Sequence, residues 1–394
     1  MLEDILQTMK HKILIISAFP PSRKSAGQNF TRMFLESLGI NQDLSITHLY
    51  FSFNNDSAKY DKMPKNIEEV KINNSMVCRF INYILLFFMN PLFIKRLNFK
   101  LILFLLKNKR NYDLFILNYS QVFIYSLFIP NEKKILIAHD VIYQLFSRKK
   151  GFIWKIFKYT AFLTEKLVLS LPNTEIFTFS KKDKALIDKL YKKSSNVIHV
   201  YLPEEIYNIE INHYDKKSIC MFGAWNRREN FESLIFFIEK IYPLLNEEIQ
   251  EFKIRIIGSG LSEDFIKKIK KYKNIEVYGF VNNPYKIISE SQILVAPLFE
   301  GAGVKVKVIE SLACGTPVVG TEIAFEGIEF DKGLYLAKSP TEYVQIIKEL
   351  FNDVDLKYKN ELRMEFLKFY QDYEKKLDYI IIKKLQEQSL WKSI

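Results

Sequence analysis

The sequence predicts an α/β protein made of two Rossmann-like, doubly wound parallel-sheet domains facing across a cleft. Three observations lead there. Short, near-continuous apolar runs alternate with amphipathic helical stretches, the pattern of a parallel sheet covered on both faces. The alternation stops in a polar stretch and then restarts. A chain of 394 residues is too long for one ordinary core and suits two.

The first half opens with KILIISAF (12–19), which ends in Pro20-Pro21-Ser22 and leads through Gly27 to a helical spacing at Phe30, Met33, Phe34 and Leu38. That is strand, loop, helix. Further strand-like runs are LSITHLYF (44–51), DLFILNYS (113–120), KKILIAHD (133–140), EIFTFS (175–180) and NVIHVY (196–201). The polar, non-periodic stretch 201–217 reads as a linker. After it come SICMFG (218–223), a helix over 229–245, FKIRIIGSG (252–260), NIEVYGF (274–280), QILVAPL (292–298), TPVVGT (316–321) and GLYLAK (333–338). The expected organisation is therefore an N-terminal domain over 1–205, a linker over 206–217, and a second domain over 218–370. A C-terminal helix over 371–394 can pack back on the N-terminal domain. Ligands of open α/β sheets bind at the carboxyl ends of the strands, so a nucleotide-like ligand is expected there.

Composition bounds the function classes. With 48% hydrophobic and 26% charged residues the chain is a globular protein. Its net charge of +12 calls for an anionic partner. No nucleic-acid motif accompanies that charge, so nucleic acid is not expected. Cys78, Cys220 and Cys314 lie far apart, and the five histidines form no metal-ligand spacing, as in a reducing compartment without a metal site. Asp353-Val354-Asp355 lies in a helical tail past the second sheet and reads as a solvated turn. The opening MLEDILQTMKHK has acids and no apolar core, so no secretory signal is expected. The apolar run 80–94 is short for a span and is broken by Asn82, Asn90 and Pro91.

The most informative segment is APLFEGAGVKVKVIESLACGTPVVGT (296–321). A strand runs into Gly301-Ala302-Gly303, and a helix is expected from about Val304. Small residues let a phosphate approach the backbone, and free N–H groups at a helix start attract anions. Lys305 and Lys307 would put positive charge where it opposes the helix dipole, a cost that a bound anion would offset. Glu310 lies about two turns after Gly303, on the face of the glycine loop. A carboxylate there can accept two hydrogen bonds from a ribose diol. Gly315 closes the helix and Pro317 opens the next strand.

This segment resembles the nucleotide-sugar signature of retaining GT-B glycosyltransferases of family 4, the glycosyl transferases group 1 type. Other pieces fall in the order of that family: CMFGAWNRREN (220–230), RIIGSG (255–260), the 277–298 stretch and, in the first half, IISAFPPSRKSAGQNF (15–30). The resemblance implies transfer of a sugar from a nucleotide-sugar donor, UDP or GDP being the expected nucleotides, to the hydroxyl of a glycan or lipid-linked acceptor. It implies no metal or other cofactor, and a cytoplasmic enzyme of cell-surface polysaccharide or lipopolysaccharide synthesis that can sit on the inner face of the membrane. It makes Glu310 the ribose ligand. Gly301, Gly303, Val304, Lys305 and Lys307 go to the diphosphate and sugar, with Gly258 and Gly27 close to the phosphates. Phe280 and Val281 go to the base site, and His139 is the active-site histidine. The family pattern has a glutamate where Ala302 stands, an arginine at Ala224 and a lysine at Glu229; Arg227 and Arg228 stand near as substitutes. Two alternatives stay open: a catalytically silent scaffold of the same fold, to which those departures lend weight, and a nucleotide-sugar epimerase of the same fold. Separately, residues 79–110 carry seven cations (Arg79, Lys95, Arg96, Lys100, Lys107, Lys109 and Arg110) and no acid among apolar residues, which suits an anionic membrane surface.

Overall fold

The computed structural model describes residues 11–52, 63–73, 90–371 and 376–392. The chain divides into two compact units, Met1–Tyr201 with Tyr373–Ile394, and Leu202–Asp372.

The first unit holds a seven-stranded sheet in the order β3-β2-β1-β4-β5-β6-β7. The strands are β1 His11–Ser17, β2 Leu44–Phe51, β3 Ile67–Ile72, β4 Leu114–Asn118, β5 Lys134–Ala138, β6 Glu175–Thr178 and β7 Asn196–Val197. All pairs are parallel. The central strands are buried along their whole length, which is why they read as unbroken apolar runs. Strand β3 was not foreseen. As an edge strand it exposes Glu68 and Lys71, so its sequence lacks the apolar run of its neighbours.

The helices of this unit are α1 Ala26–Gly39, α2 Pro91–Ile94, α3 Phe99–Asn108, α4 Ile142–Ser147, α5 Phe152–Leu169 and α6 Lys181–Tyr191. Helix α1 starts at Ser25, an extended N-cap whose hydroxyl accepts from the Gln28 amide, satisfying one of the first-turn donors. Its buried residues Phe30, Phe34, Leu35 and Leu38 fall on one face, each worth roughly 2 kcal/mol of apolar burial. A 3-10 segment, Ser120–Phe128, follows β4. The carboxyl-terminal helix Lys376–Lys392 belongs to this unit: Leu377, Ile381 and Leu385 are buried. Asp378 accepts from Tyr201 (2.7 Å) and Ser37, and Lys384 pairs with Glu175.

One cation of the 79–110 run is not on the surface. Arg96 is 5% exposed; it donates to Ala18 O (3.1 Å) and lies 4.4 Å over the Phe19 ring. Burial lowers its pKa to about 10. Arg79, Cys78 and residues 80–89 of that stretch lie outside the described residues.

The second unit holds six parallel strands in the order β10-β9-β8-β11-β12-β13. They are β8 Asp215–Phe222, β9 Lys253–Ile257, β10 Ile275–Gly279, β11 Ser291–Ala296, β12 Val318–Gly320 and β13 Leu334–Leu336. In both sheets chain order reverses beside the first strand, between β1 and β4 and between β8 and β11. These are the switch points where open α/β sheets leave a crevice.

The helices here are α7 Glu204–Tyr207, α8 Arg228–Phe236, α9 Tyr242–Glu248, α10 Glu263–Ile269, α11 Tyr285–Glu290, α12 Val306–Ala313, α13 Glu322–Phe325, α14 Pro340–Asp353 and α15 Leu356–Gln371. The helix expected over 229–245 is α8 and α9 joined by a π turn, Phe237–Ile241. Pro243 follows that turn in the first turn of α9; its ring and missing N–H are tolerated where the ladder is already widened. Helix α15 is tied to the sheet by Lys359, fully buried, whose ammonium donates to Ser291 O (2.7 Å) and Thr316 Oγ1 (2.8 Å). Among the described residues no helix is long and apolar enough to cross a membrane.

Candidate functional site

In the second unit the strand ends form a cradle that only glycine allows. Gly258, after β9, has φ +121°, and a Cβ there would fall 1.9 Å from Gly223 O. Gly260 (φ +102°) faces the Asn226 backbone, 2.5 Å from where its Cβ would be. Hydrogen bonds join these turns: Gly223 N to Ile257 O, Trp225 N to Ser259 O, and Gly258 N to Gly279 O, at 3.1, 2.8 and 2.8 Å. Phe280 follows directly on β10, its ring 57% exposed, with Val281 half-buried beside it.

The loop after β11 completes this edge. Gly301 (φ +132°) and Gly303 (φ +68°) occupy left-handed backbone, which keeps the chain out of the helix longer than expected. Helix α12 begins at Val306, not near Val304, and Lys305 is its N-cap rather than a first-turn residue. No side chain caps it, so the helix start offers backbone N–H groups and the positive end of its dipole. The Lys305 ammonium folds back onto Gly303 O at 2.6 Å. Lys307 donates to Asn230 Oδ1 (2.7 Å), and Asn230 donates to Ala224 O (2.9 Å). This links α12 to the turn after β8, and the ammonium lies 3.0 Å from where a Cβ on Gly223 would be. Burial first, then Lys305 and Arg227, push the Lys307 pKa down to about 8 against the pull of Glu229 and Glu310. A cation so crowded gains from a bound anion.

Glu310 is 6% exposed and accepts from the Tyr285 hydroxyl at 2.9 Å. Burial raises its pKa to about 7, opposed by the Tyr285 hydrogen bond and Lys307. The structure thus gathers Gly258, Gly301, Gly303, Lys305, Lys307, Arg227 and Glu310 at one end of one sheet. Arg228, one residue on from Arg227, is exposed: it pairs with Glu232 one turn along α8, Nε to Oε1 2.6 Å, and also feels the charge of Glu300, which precedes Gly301. Asn230 and Tyr285 were missed from sequence, because neither type marks a site.

In the first unit, His139 follows β5 and its Nε2 meets Asn118 Oδ1 at 2.8 Å. The Asn118 amide nitrogen donates to Thr31 Oγ1 (2.9 Å) and Ser17 Oγ (3.2 Å). Oδ1 is therefore left as acceptor, and His139 carries its proton on Nε2. Its ring stacks on Tyr119, centroids 3.7 Å apart, with Phe30 and Phe179 edge-on. Burial lowers its pKa to about 3. Gly27 lies in the first turn of α1; a Cβ on it would stand 2.9 Å from the Tyr119 hydroxyl and 3.4 Å from His139 Nδ1. The two residues expected from sequence in this unit thus meet. Tyr119 was not foreseen. It holds φ +83°, a strained state for a non-glycine residue and a mark of functional loops. Ser17 continues the polar chain to the fully buried His48 (2.9 Å), and His48 to Glu69 (3.3 Å).

The loop bearing His139 is held from below. Val141 caps α4 without a side-chain bond. The Glu165 carboxylate, from α5, instead accepts from the Ile142 amide (2.7 Å), the Tyr143 amide (3.0 Å) and the Tyr191 hydroxyl (2.6 Å). It is 2% exposed, and burial raises its pKa to about 7.

Residues 216–353 match the model of the family described as glycosyl transferases group 1. Two curated relatives align. An uncharacterized 44.6 kDa protein in the cps region of Klebsiella pneumoniae is 25% identical over 274 residues, 63% of this chain and 66% of that one. An uncharacterized glycosyltransferase of Haemophilus influenzae is 24% identical over 149 residues, 37% and 41% of the two chains. The alignments thus span just under two thirds, and about two fifths, of those relatives. Among solved structures, a sucrose-phosphate synthase of Thermosynechococcus elongatus superposes with a TM-score of 0.68 at 13% identity, covering 98% of this chain and 100% of that one. The Anabaena HepE protein, in complex with UDP, superposes at 0.62 with 12% identity, covering 97% and 99%. The chain has the GT-B fold. The two parallel sheets and these superpositions agree on that.

Proposed function

We propose that this chain is a glycosyltransferase that moves a sugar from a nucleotide-sugar donor to an acceptor hydroxyl with retention of anomeric configuration. The observation that carries this is the second-unit cradle: a buried carboxylate, Glu310, on the helix whose uncapped start stands among Gly301, Gly303, Lys305, Lys307 and Arg227. Glu310 takes the ribose hydroxyls. The helix start and the lysines take the diphosphate and stabilise the charge that grows on it as the glycosidic bond breaks. The exposed Phe280 ring, with Val281, gives the base an apolar face. The positive charge that balances the diphosphate comes from side chains and backbone N–H groups, so the reading needs no metal. In the first unit, which takes the acceptor, His139 with Gly27 is the catalytic candidate.

UDP is the nucleotide favoured here, because HepE has been solved with UDP and with UDP-glucose. The cps setting of the Klebsiella relative favours a surface-polysaccharide acceptor. A second reading, a silent scaffold, is favoured by Ala224, Glu229 and Ala302 at positions where the family pattern is charged. Against it, Lys307 brings a cation to the turn after β8. The experiment is a thermal-shift screen of nucleotides and their sugar conjugates, followed by donor turnover with and without acceptor. Stabilisation at about 100 times the dissociation constant is roughly 2.7 kcal/mol. Turnover only with acceptor supports the transferase. Conversion of the donor sugar without acceptor means an epimerase. No nucleotide binding at all means the scaffold.

A further inference from the structure

We infer that helix α5 of the first unit is a docking surface for an anionic lipid bilayer. A surface helix normally turns its apolar stripe to the core and its polar side to water. Helix α5 has apolar side chains on both. Ala161, Val168 and Leu169 are buried, while Phe152, Ile153, Ile156, Tyr159, Leu163 and Leu167 are between 44% and 77% exposed. Positions 152, 156, 159, 163 and 167 follow the helical repeat, so these side chains form one continuous stripe along the helix. Exposed apolar side chains occur singly on any protein; six together on one helix mark a surface built for contact.

The charges beside the stripe identify its partner. Residues 148–166 carry Arg148, Lys149, Lys150, Lys155, Lys158 and Lys166, and their one acid is Glu165, which is buried inward as the cap of α4. The stripe therefore has cations along it and no exposed acid. Helix α3 repeats the arrangement with Phe99, Leu103 and Leu106 exposed alongside Lys100 and Lys107, and it too has no acid. Both helices pack against the 3-10 segment Ser120–Phe128. A second copy of the chain would bring like charge against like. A nucleic acid would answer the cations and leave the apolar stripe in water. A bilayer with anionic headgroups answers both, the aromatic and aliphatic side chains entering below the phosphates and the lysines staying level with them. The inference does not depend on the transferase reading.

The test uses the full chain with vesicles of phosphatidylcholine alone and with phosphatidylglycerol added. Co-sedimentation is expected with the anionic vesicles, falling as salt is raised. Changing Phe152, Ile156 and Leu163 to Ser together should lower the partition coefficient about tenfold or more. So should changing Lys155, Lys158 and Lys166 to Glu together. Five of the six side chains are exposed and Lys158 is half-buried, its ammonium 5.2 Å over the Tyr143 ring; an unchanged melting temperature confirms folding. Absence of sedimentation, or sedimentation indifferent to both variants, overturns the inference. So does a dimer, seen by light scattering, that the serine variant dissolves while neither chain binds vesicles.

Discussion

Glu310 should cost stability and supply function, and the two can be separated by pH. Its carboxyl is held at about 7 in the folded chain against 4.5 in the unfolded one, chiefly by burial. Between those values the folded chain keeps a proton that the unfolded chain has released. Folding stability from this group therefore falls as pH rises from 4.5 through 7, and stays at its lower value above. The difference amounts to about 3 kcal/mol. Glu310→Gln keeps an acceptor for the Tyr285 hydroxyl and cannot ionise. Urea denaturation should find the two proteins alike near pH 4.5 and the variant more stable by up to about 3 kcal/mol at pH 8. Taking the difference cancels Glu165, which titrates in the same window. Nucleotide binding should move the other way. The ribose diol prefers the ionised acceptor, so affinity should rise with pH from 4.5 through 7 in the wild type, whereas the variant should lack that rise and bind roughly ten- to a hundredfold more weakly at pH 7. Equal stability at pH 8 would refute the desolvated carboxyl. Equal nucleotide affinity would refute the ribose role.

Other expectations are sharper still in outcome. Gly258→Ala drives a methyl into the Gly223 carbonyl and should destabilise the protein by roughly 2–4 kcal/mol in urea; a neutral effect would mean the two turns do not touch. Lys307→Met should weaken nucleoside diphosphate binding about tenfold or more, whereas Arg228→Ala should leave it unchanged, calorimetry deciding both. For His139, nitrogen NMR should show the neutral Nε2–H form at every pH above about 4, because burial holds its pKa near 3; an imidazole titrating near 6.5 would overturn the burial argument. Since its folded pKa is lowered, this histidine should withdraw stability as pH falls below 6.5. Asn118→Leu removes the acceptor of that proton and should cost about 2–3 kcal/mol by leaving buried polar groups unpaired.

Much of the second unit could be read in advance because its constraints are local. Gly301, Gly303, Gly315 and Pro317 punctuate the segment around Glu310, and the three glycines hold positive φ, a demand of the local backbone. What escaped was set by distance along the chain. The Tyr285–Glu310 hydrogen bond joins residues 25 apart, and Asn118–Thr31 joins residues 87 apart; neither side chain differs in type from hundreds of ordinary ones. Arg228 is a case of another kind: its place beside the glycine turn is legible in the sequence, but its pairing with Glu232 one turn along α8 is set by the helix that starts there. Helix α5 escaped for a third reason: it carries apolar side chains on both its buried and its exposed face, and only the packing tells the two apart. The edge strand β3 was hidden by its charges.

Glu165 gives helix α5 a further consequence. The carboxylate that faces inward from this helix closes the two amides that open α4, three residues after His139. Hydrogen bonds weaken steeply with tilt and are lost by about 3.6 Å, so a displacement of α5 approaching an ångström releases Ile142 and Tyr143. Their amide protons, slow to exchange while the carboxylate holds them, would then exchange with solvent. The outermost helix face and the innermost histidine loop are thus read by the same two protons, and deuterium uptake at Ile142 and Tyr143 measures how firmly α5 is seated.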